Sequence, residues 1–238
     1  MTYTNSPLVD YTQISPHRGN RNGHVIDTIT IHCAAAQAAV ETLGRLFQTK
    51  QASANYGIGA DGRVGMYVEE KDRSWCTSNN ANDARAVTIE VACDNRHPYA
   101  VKDAVYKKLI TLVADICKRN GIAKLVWSTD KYDRMNHKGG CNMTVHRDYE
   151  NKACPGQWLY ERHGQIAAEV NKRLMEDEEM VRWKTIEDVP EGFYRDTVRQ
   201  LMQDGIIKGK GNGVIDLTED MLRVTIYNKR MIETMLEK

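Results

Sequence analysis

The sequence predicts an α/β fold, in which a mixed central β-sheet is flanked by helices, followed by a small and mainly helical C-terminal module. Two segments, 24–33 (HVIDTITIHC) and 86–93 (AVTIEVAC), alternate apolar and polar residues as strands do. Three longer segments, 38–49, 101–120 and 157–174, repeat apolar residues with helical periodicity. Strands that alternate with helices along a chain are typical of a sheet with helices packed on its faces.

Each element has its own local signal. In the first strand, Ile29 and Ile31 occupy one face, and the polar residues between them occupy the other. The pair Asp61-Gly62 separates segments 55–59 and 63–68 and predicts a hairpin. Gly121 is expected to end the second helix, and Pro155-Gly156 to precede the third.

Composition excludes several classes of protein. Hydrophobic residues make up 41% of the 238 residues and charged residues 27%, which are values of a globular protein, and a net charge of +1 argues against a general nucleic-acid binder. The most apolar run, 109–117, is too short and too polar to span a membrane. The N-terminal segment lacks the pattern of a signal peptide, so we expect synthesis in the cytoplasm. Six cysteines without a C-x-x-C pair are expected to be free thiols.

Charge divides the chain into two parts. Residues 1–175 carry a net charge of +5 and residues 176–238 one of −4, and the sign changes at an acidic run, 176–179. We therefore predict a first domain over 1–175, a linker over 176–184 and a separate module over 185–238.

Four residues form a candidate site. His32 and Glu90 lie on the polar faces of their strands, where either residue alone would be typical of a solvent-facing position. His146 and Cys154 are eight residues apart in a loop, HRDYENKACPG, that leads into the third helix. A thiol at the start of a helix is favoured as the thiolate. Spacing alone leaves two interpretations open: a zinc site of two histidines and one cysteine, or a Cys-His nucleophilic pair.

The same residues resemble those of a known family. His32 at a strand end, Asn55-Tyr56 before a hairpin, Glu90 in a TIEV strand and the H-x5-K-A-C-P-G block are similar to the zinc-dependent N-acetylmuramoyl-L-alanine amidases. That family includes many phage endolysins and shares its fold with the peptidoglycan recognition proteins. The resemblance covers residues 1–174, and the block from 146 to 156 is its most specific part.

The resemblance implies a role for each residue. His32, His146 and Cys154 match the ligands of one Zn²⁺ ion, which leaves a fourth position open. Glu90 matches a general base, Lys152 matches a residue that stabilises the oxyanion, and Tyr56 matches a tyrosine used for the same purpose or to hold the water.

Two further residues are expected to contact substrate. Trp75 falls where relatives carry an aromatic wall of the substrate groove, and His137 lies in a glycine-containing loop that is expected to rim the cleft. The other four histidines, His17, His24, His97 and His163, match no family position and are expected at the surface or in packing. Cys33 follows His32 and is expected on the opposite, core face of its strand.

The implied activity is hydrolysis of the amide bond between N-acetylmuramic acid and L-alanine in peptidoglycan. An endolysin or autolysin of this kind would be made in the cytoplasm without a signal peptide and act on the cell wall after release. Two alternatives stay open: a non-catalytic peptidoglycan-binding protein with the same fold, and a peptidase that uses Cys154 and His146.

The C-terminal module has an apolar set of its own, including Trp183, Phe193 and Leu201, and two predicted helices over 193–203 and 218–236, the second with Thr218 as N-cap. It resembles a single S-layer-homology-like repeat, but it lacks the usual signature at the second helix, where the sequence is LTEDM. We expect the module to bind a wall polymer. So small a unit is marginally stable alone, and self-association through it would stabilise it.

Overall fold

The computed structural model describes residues 3–179 and 182–236, which form two compact units with the boundary between Leu174 and Met175. The strands are β1 (Tyr11–Thr12), β2 (Arg18–Asn20), β3 (Thr28–Cys33), β4 (Tyr56–Ile58), β5 (Val64–Met66), β6 (Asp72–Ser74), β7 (Ala86–Val91), β8 (Met143–Thr144), β9 (Arg182–Trp183) and β10 (Leu217–Thr218). The helices are α1 (Val40–Thr49), α2 (Asn80–Arg85), α3 (Asp103–Asn120), α4 (Lys131–Met135), α5 (Gln157–Glu179), α6 (Phe193–Gln203) and α7 (Glu219–Leu236). None of these described helices is long and apolar enough to cross a membrane.

Six strands of the first unit form one mixed sheet in the order β1-β5-β4-β7-β3-β8. The neighbours β4, β7, β3 and β8 are parallel, whereas β5 runs antiparallel to β4 through the turn at Asp61-Gly62. The predicted α/β fold and its hairpin are therefore confirmed. β2 and β6 form a separate antiparallel pair that the sequence patterns did not predict.

One face of the sheet carries the main apolar core. Ile29 and Ile31 of β3 and Ile89 of β7 are fully buried on this face. They belong to one apolar cluster with side chains of α3 and α5, among them Leu109, Leu112, Ile116, Leu159, Ile166 and Val170. Burial of such side chains stabilises the fold by roughly 1.5–3 kcal/mol each. This packing fixes which face the polar residues of the same strands occupy.

The polar face is buried as well, which the alternating pattern did not predict. Thr30 and His32 are both fully buried. Asn82 of α2 donates to the Thr30 hydroxyl at 3.1 Å and accepts from the Thr144 hydroxyl at 2.8 Å. Because α2 supplies hydrogen bonds to this face, its polar groups can leave water without a large penalty.

Helix α5 extends five residues beyond its predicted end. Residues 175–179 (MEDEE) contain neither glycine nor proline, so no local signal stops the helix at 174. The predicted linker, 176–184, coincides with the end of α5 and with β9, and its residues 180 and 181 lie outside the described part of the chain.

The second unit has a small core of its own. β9 and β10 pair antiparallel, with Trp183 opposite Leu217, and Trp183 packs with buried side chains of α6 and α7. Helix α6 begins and ends at the predicted residues, and the Thr218 hydroxyl accepts from the Met221 N–H at 3.2 Å, which confirms the predicted N-cap of α7. Phe193, expected in the apolar set, is 64% exposed.

Candidate metal centre

His32 and Glu90 are cross-strand neighbours at the ends of β3 and β7. The two strands are parallel, and their register pairs His32 with Glu90. Residues paired in this way point to the same face of a sheet, about 4.8 Å apart. The two polar side chains are therefore brought together on the face opposite the apolar core.

The ligand loop, residues 146–156, brings the other two site residues to the same point. His146 lies in a short 3₁₀ turn, and Cys154 lies shortly before α5. The Cys154 Sγ is 3.3 Å from Nδ1 of His32, and the rings of His32 and His146 are 5.2 Å apart. One donor atom from each of these residues lies within 4.8 Å of the other two. This arrangement is the one expected for a metal centre.

The two imidazoles are in the state that a metal requires. Burial lowers the pKa of His32 well below its usual value, and the charge of His146 lowers it further. Burial and the nearby Lys152 also lower the pKa of His146. Both rings are therefore neutral near pH 7, and in both the buried Nε2 has no hydrogen-bond partner among the described residues. A neutral ring can offer a lone pair to a metal from one of its two nitrogens, and Nδ1 is the nitrogen of His32 that faces Cys154.

Glu90 is a candidate general base. Its Oε2 is buried and has no hydrogen-bond partner in the described part of the chain. Burial raises the pKa of Glu90 to about 7, against a small opposing effect of Lys50. A base is most efficient when its pKa lies near the working pH, so this carboxylate suits proton transfer near neutrality.

Three consecutive residues hold the ligand loop in place. Arg147 donates from Nη2 to the Ala153 carbonyl at 2.6 Å, and its backbone N–H donates to the Cys154 carbonyl at 3.2 Å. Asp148 accepts two hydrogen bonds from Arg134, and Tyr149 donates its hydroxyl to Asn82. The loop is thus closed on itself and fixed to two helices, which sets the separation of His146 from Cys154.

Gly156 ends the ligand loop where no other residue fits. Its φ is +80°, and a Cβ at this position would lie 2.6 Å from Cβ of Tyr99. A side chain would therefore need both a strained backbone and a displaced Tyr99. This glycine lets the chain pass Tyr99 and enter α5 at the next residue, Gln157.

The site opens into a cleft of about 590 Å³. Lys152 and Trp75, two of the predicted site residues, line this cleft together with Glu90, His146 and Cys154. Lys152 is exposed and acts electrostatically on His146, and Trp75 is partly exposed beside the ring of His17. Both side chains are placed where they can contact a bound substrate.

The structure contradicts the prediction that Tyr56 serves in the site. The register pairs Tyr56 with Ile89, so its side chain lies on the apolar face, opposite Glu90. Its hydroxyl donates to Glu70 at 2.6 Å and accepts from the Ser6 N–H at 2.9 Å. Burial and the Glu70 carboxylate raise the pKa of Tyr56. Tyr56 is therefore a structural residue.

The structure also contradicts the prediction that His137 rims the cleft. His137 hydrogen-bonds through Nδ1 with the Cys141 carbonyl. It also lies close enough to Asp27 to help lower the pKa of that carboxyl group. Asp27 precedes β3, whereas His32 lies near its far end, about 16 Å away at ~3.3 Å per residue. The 137–140 loop and its glycines therefore lie at the opposite end of β3 from His32.

Other cleft residues differ from expectation. Cys33 lines the cleft instead of lying wholly in the core, because β3 ends there and the chain turns through Ala35, whose φ is +50°. Sequence reasoning missed Lys50, Arg73 and Cys76, which also line the cleft. Lys50 and Arg73 belong to no motif that would have revealed them, and Cys76 carried one signal, its position next to Trp75.

Comparison with known proteins agrees with this geometry. Residues 22–157, more than half of the chain, match the family described as N-acetylmuramoyl-L-alanine amidase. The match includes all four residues His32, Glu90, His146 and Cys154. No curated protein sequence matches the chain. The family match does not reach residues 185–238, and their likeness to an S-layer-homology repeat has no support from these comparisons.

Solved structures share the fold. The crystal structure of a selenomethionine derivative of AmpD has a TM-score of 0.50 and 17% identity, over 70% of this chain and 99% of that one. PlyL has a TM-score of 0.48 and 14% identity, over 68% and 96% of the two chains. The amidase LysC from Clostridium intestinale URNW has a TM-score of 0.46 and 17% identity, over 68% and 95%. The structural likeness to AmpD supports the fold alone.

Proposed function

Because the chain belongs to the N-acetylmuramoyl-L-alanine amidase family, which hydrolyses peptidoglycan, we propose that it acts with one zinc ion held by His32, His146 and Cys154. The convergence of these three donors at the cleft carries the proposal. Two imidazoles and a thiolate are donors that zinc favours, and three protein ligands leave one position open. Zinc supplies Lewis-acid polarisation of a carbonyl oxygen and a nucleophile at neutral pH.

Glu90 acts as the general base in this proposal. Its carboxylate faces the same side of the sheet as His32 and lines the cleft. It accepts a proton from the attacking water and passes it to the departing amine, a role commonly worth ~10²–10⁴-fold in rate. Because the pKa of Glu90 is raised to about 7, the carboxylate can both accept a proton from water and release it to the amine near neutral pH.

Lys152 stabilises the negative charge that develops on the carbonyl oxygen. It lies in the ligand loop between His146 and Cys154, and its ammonium group acts electrostatically on His146. One such charged donor is commonly worth ~10²–10³-fold in rate. Tyr56 takes no part, because it lies on the other face of the sheet.

The bond broken is the amide between the lactyl group of N-acetylmuramic acid and L-alanine of the stem peptide. The decisive experiment is digestion of purified peptidoglycan with the full-length chain, followed by analysis of the new chain ends. We expect free N-terminal L-alanine without new reducing sugar ends. New reducing ends, or cleavage within the stem peptide, would overturn the proposed bond. Binding to peptidoglycan without any new ends would indicate the non-catalytic alternative.

Metal removal separates the zinc enzyme from a cysteine peptidase. We expect activity to be lost on chelation and restored by Zn²⁺. Bound zinc also stabilises the folded state, by about 4 kcal/mol at a free concentration 1,000 times its Kd, so the thermal midpoint falls with chelation. Full activity after chelation, combined with inactivation by a thiol alkylating agent, would instead indicate nucleophilic catalysis by Cys154 and His146.

The second unit is proposed to bind a wall polymer and so to keep the enzyme near its insoluble substrate. A tether of this kind raises the effective concentration of the enzyme without changing its active site. The unit has its own apolar core, and it lies outside the family match. The test uses the full chain carrying Glu90→Gln, which does not digest the wall. Stronger binding to native walls than to walls stripped of secondary polymers supports the proposal, and equal binding contradicts it.

We propose an endolysin or autolysin that is made in the cytoplasm and reaches the wall after release. Fractionation of expressing cells should find the chain in the cytoplasm, with lysis following only when the membrane is permeabilised. Self-association through the second unit is tested by sedimentation of the full chain over a range of concentrations, and a single monomeric species throughout would exclude it.

A further inference from the structure

A second group of possible metal donors lies beside the first. One donor atom each from His32, Cys76 and Glu90 lies within 4.8 Å of the other two. Cys76 follows Trp75 on the wall of the cleft, where its backbone N–H donates to Asp83 at 2.9 Å. The proposed hydrolysis uses His32 and Glu90 but gives the Cys76 thiol no role.

Two members of this group each have one buried atom without a partner among the described residues. His32 is fully buried, and neither its Nε2 nor Oε2 of Glu90 has a hydrogen-bond partner among the described residues. An unsatisfied buried polar group destabilises the folded state. The Nδ1 of His32 faces Cys154, so Nε2 is the nitrogen left for this group. A cation placed between the three side chains would give both His32 Nε2 and Glu90 Oε2 a partner.

The chemistry of the donors identifies the class of cation. A thiolate, an imidazole and a carboxylate together suit Zn²⁺ or Co²⁺, whereas Mg²⁺ and Ca²⁺ require oxygen ligands. Donors of one zinc ion lie about 2.0–2.3 Å from it, hence at most ~4.5 Å from one another. Small rotations of these side chains therefore suffice to close the group around an ion.

We propose that Cys76, Glu90 and His32 form a second, weaker position for a divalent transition-metal ion, adjoining the first at His32. On binding, the Cys76 thiol releases its proton to solvent and the thiolate sulfur coordinates the ion. When the first position is also filled through Nδ1, the His32 ring releases its remaining N–H proton to solvent and bridges the two ions as imidazolate. An ion held here occupies the carboxylate of Glu90, which then cannot accept a proton. Excess zinc therefore inhibits the enzyme. This consequence rests on the proposed function, whereas the binding itself does not.

Binding is tested with Co²⁺, whose coordination by a thiolate gives a charge-transfer absorption. The Cys154→Ser variant removes the thiol of the first position, so any cobalt–thiolate absorption must come from another cysteine. We expect the absorption to persist in this variant and to vanish when Cys76→Ser is added. Adding Cys141→Ser instead, at a buried cysteine outside the cleft, should leave it unchanged. No absorption in Cys154→Ser, or absorption that survives loss of Cys76, would overturn the proposal.

A second measurement leaves the first position intact. In Cys76→Ser, the zinc concentration that halves activity should rise by at least about 10-fold relative to that of the unmodified protein. Cys141→Ser should be inhibited like the unmodified protein. Equal inhibition of Cys76→Ser and the unmodified protein would contradict the proposal. If the chain had no amidase activity at all, the cobalt spectra would still decide whether the second position exists.

Discussion

Arg134 and Asp148 form a two-point ion pair in which both side chains are only 2% exposed. The Arg134 Nε and Nη2 donate to the two carboxylate oxygens at 2.7 and 2.6 Å. Asp148 lies two residues after His146, so this ion pair anchors one candidate metal ligand to α4. The guanidinium also lies over the ring of Trp127, 4.7 Å from its centre. A buried polar contact thus positions the metal centre.

Asp148→Asn should destabilise the fold and loosen the metal centre. The change leaves the buried Arg134 charge uncompensated, for which we expect a loss of about 3–5 kcal/mol in the free energy of unfolding. Urea denaturation measures this loss, and zinc affinity measured by competition with a chelator should fall as well. Asp196→Asn breaks an exposed pair with Arg199 and serves as the control, with no measurable change. An Asp148→Asn variant as stable as the unmodified protein would contradict this role.

Tyr56→Phe should change stability and not catalysis. The hydroxyl makes two buried hydrogen bonds, to Glu70 and from Ser6, and its removal should lower the free energy of unfolding by about 1–3 kcal/mol. Because the side chain lies on the face opposite Glu90, kcat and KM should stay as they are. A fall in kcat of ~100-fold with normal stability would show that the tyrosine acts in the reaction after all.

Glu90→Gln should abolish turnover while zinc stays bound. The amide cannot accept a proton, so we expect kcat to fall by ~10²–10⁴-fold. Metal analysis of the purified variant should still find one zinc per chain, since His32, His146 and Cys154 remain. Loss of the metal together with activity would mean that Glu90 holds the ion rather than the proton.

Trp75→Ala and His137→Ala should behave differently. Trp75 lines the cleft, so loss of its ring should raise KM by about 10-fold, as expected for a contact worth more than 1 kcal/mol. His137 lies at the opposite end of β3 from His32 and serves as the matched control, with unchanged kcat and KM. Steady-state kinetics on soluble peptidoglycan fragments measures both. Equal effects of the two changes would contradict this placement of the residues.

His163 should make the protein less stable in acid. Burial lowers its pKa to about 4, whereas an unfolded histidine titrates near 6.5. Between these values the unfolded chain binds a proton that the folded chain does not, so stability falls as pH falls through this range. A shift of this size corresponds to about 3 kcal/mol at 1.36 kcal/mol per pKa unit.

His163→Gln isolates this contribution. The difference in free energy of unfolding between the variant and the unmodified protein should shrink by about 3 kcal/mol from pH 7 to pH 4. Glu90, whose pKa is raised, has the opposite effect in the metal-free protein, but it is present in both and cancels in the difference. Urea denaturation at each pH provides the measurement. If the free energies of unfolding of the two proteins changed in parallel with pH, His163 would have the same pKa in the folded and unfolded chains.

Much of this protein follows from local sequence. Alternation in β3 and β7 places His32 and Glu90 on the polar face, because side chains of a strand alternate with period two. The Asp61-Gly62 turn, the start of α6 and the Thr218 cap depend on neighbouring residues and were predicted correctly. The motif that carries His146 and Cys154 is also local, since eight residues of loop can bring both side chains together.

Only the tertiary structure decided the rest. Tyr56 is the first residue of β4, and the register of β4 against β7 determines that Tyr56 faces away from Glu90. A shift of one residue would reverse this, and no local signal sets such a register. The burial of the polar face, the Arg134–Asp148 pair and the position of Cys76 likewise depend on residues distant in sequence. The sequence alone determined which residues could form the site, whereas packing and strand register determined which of them do.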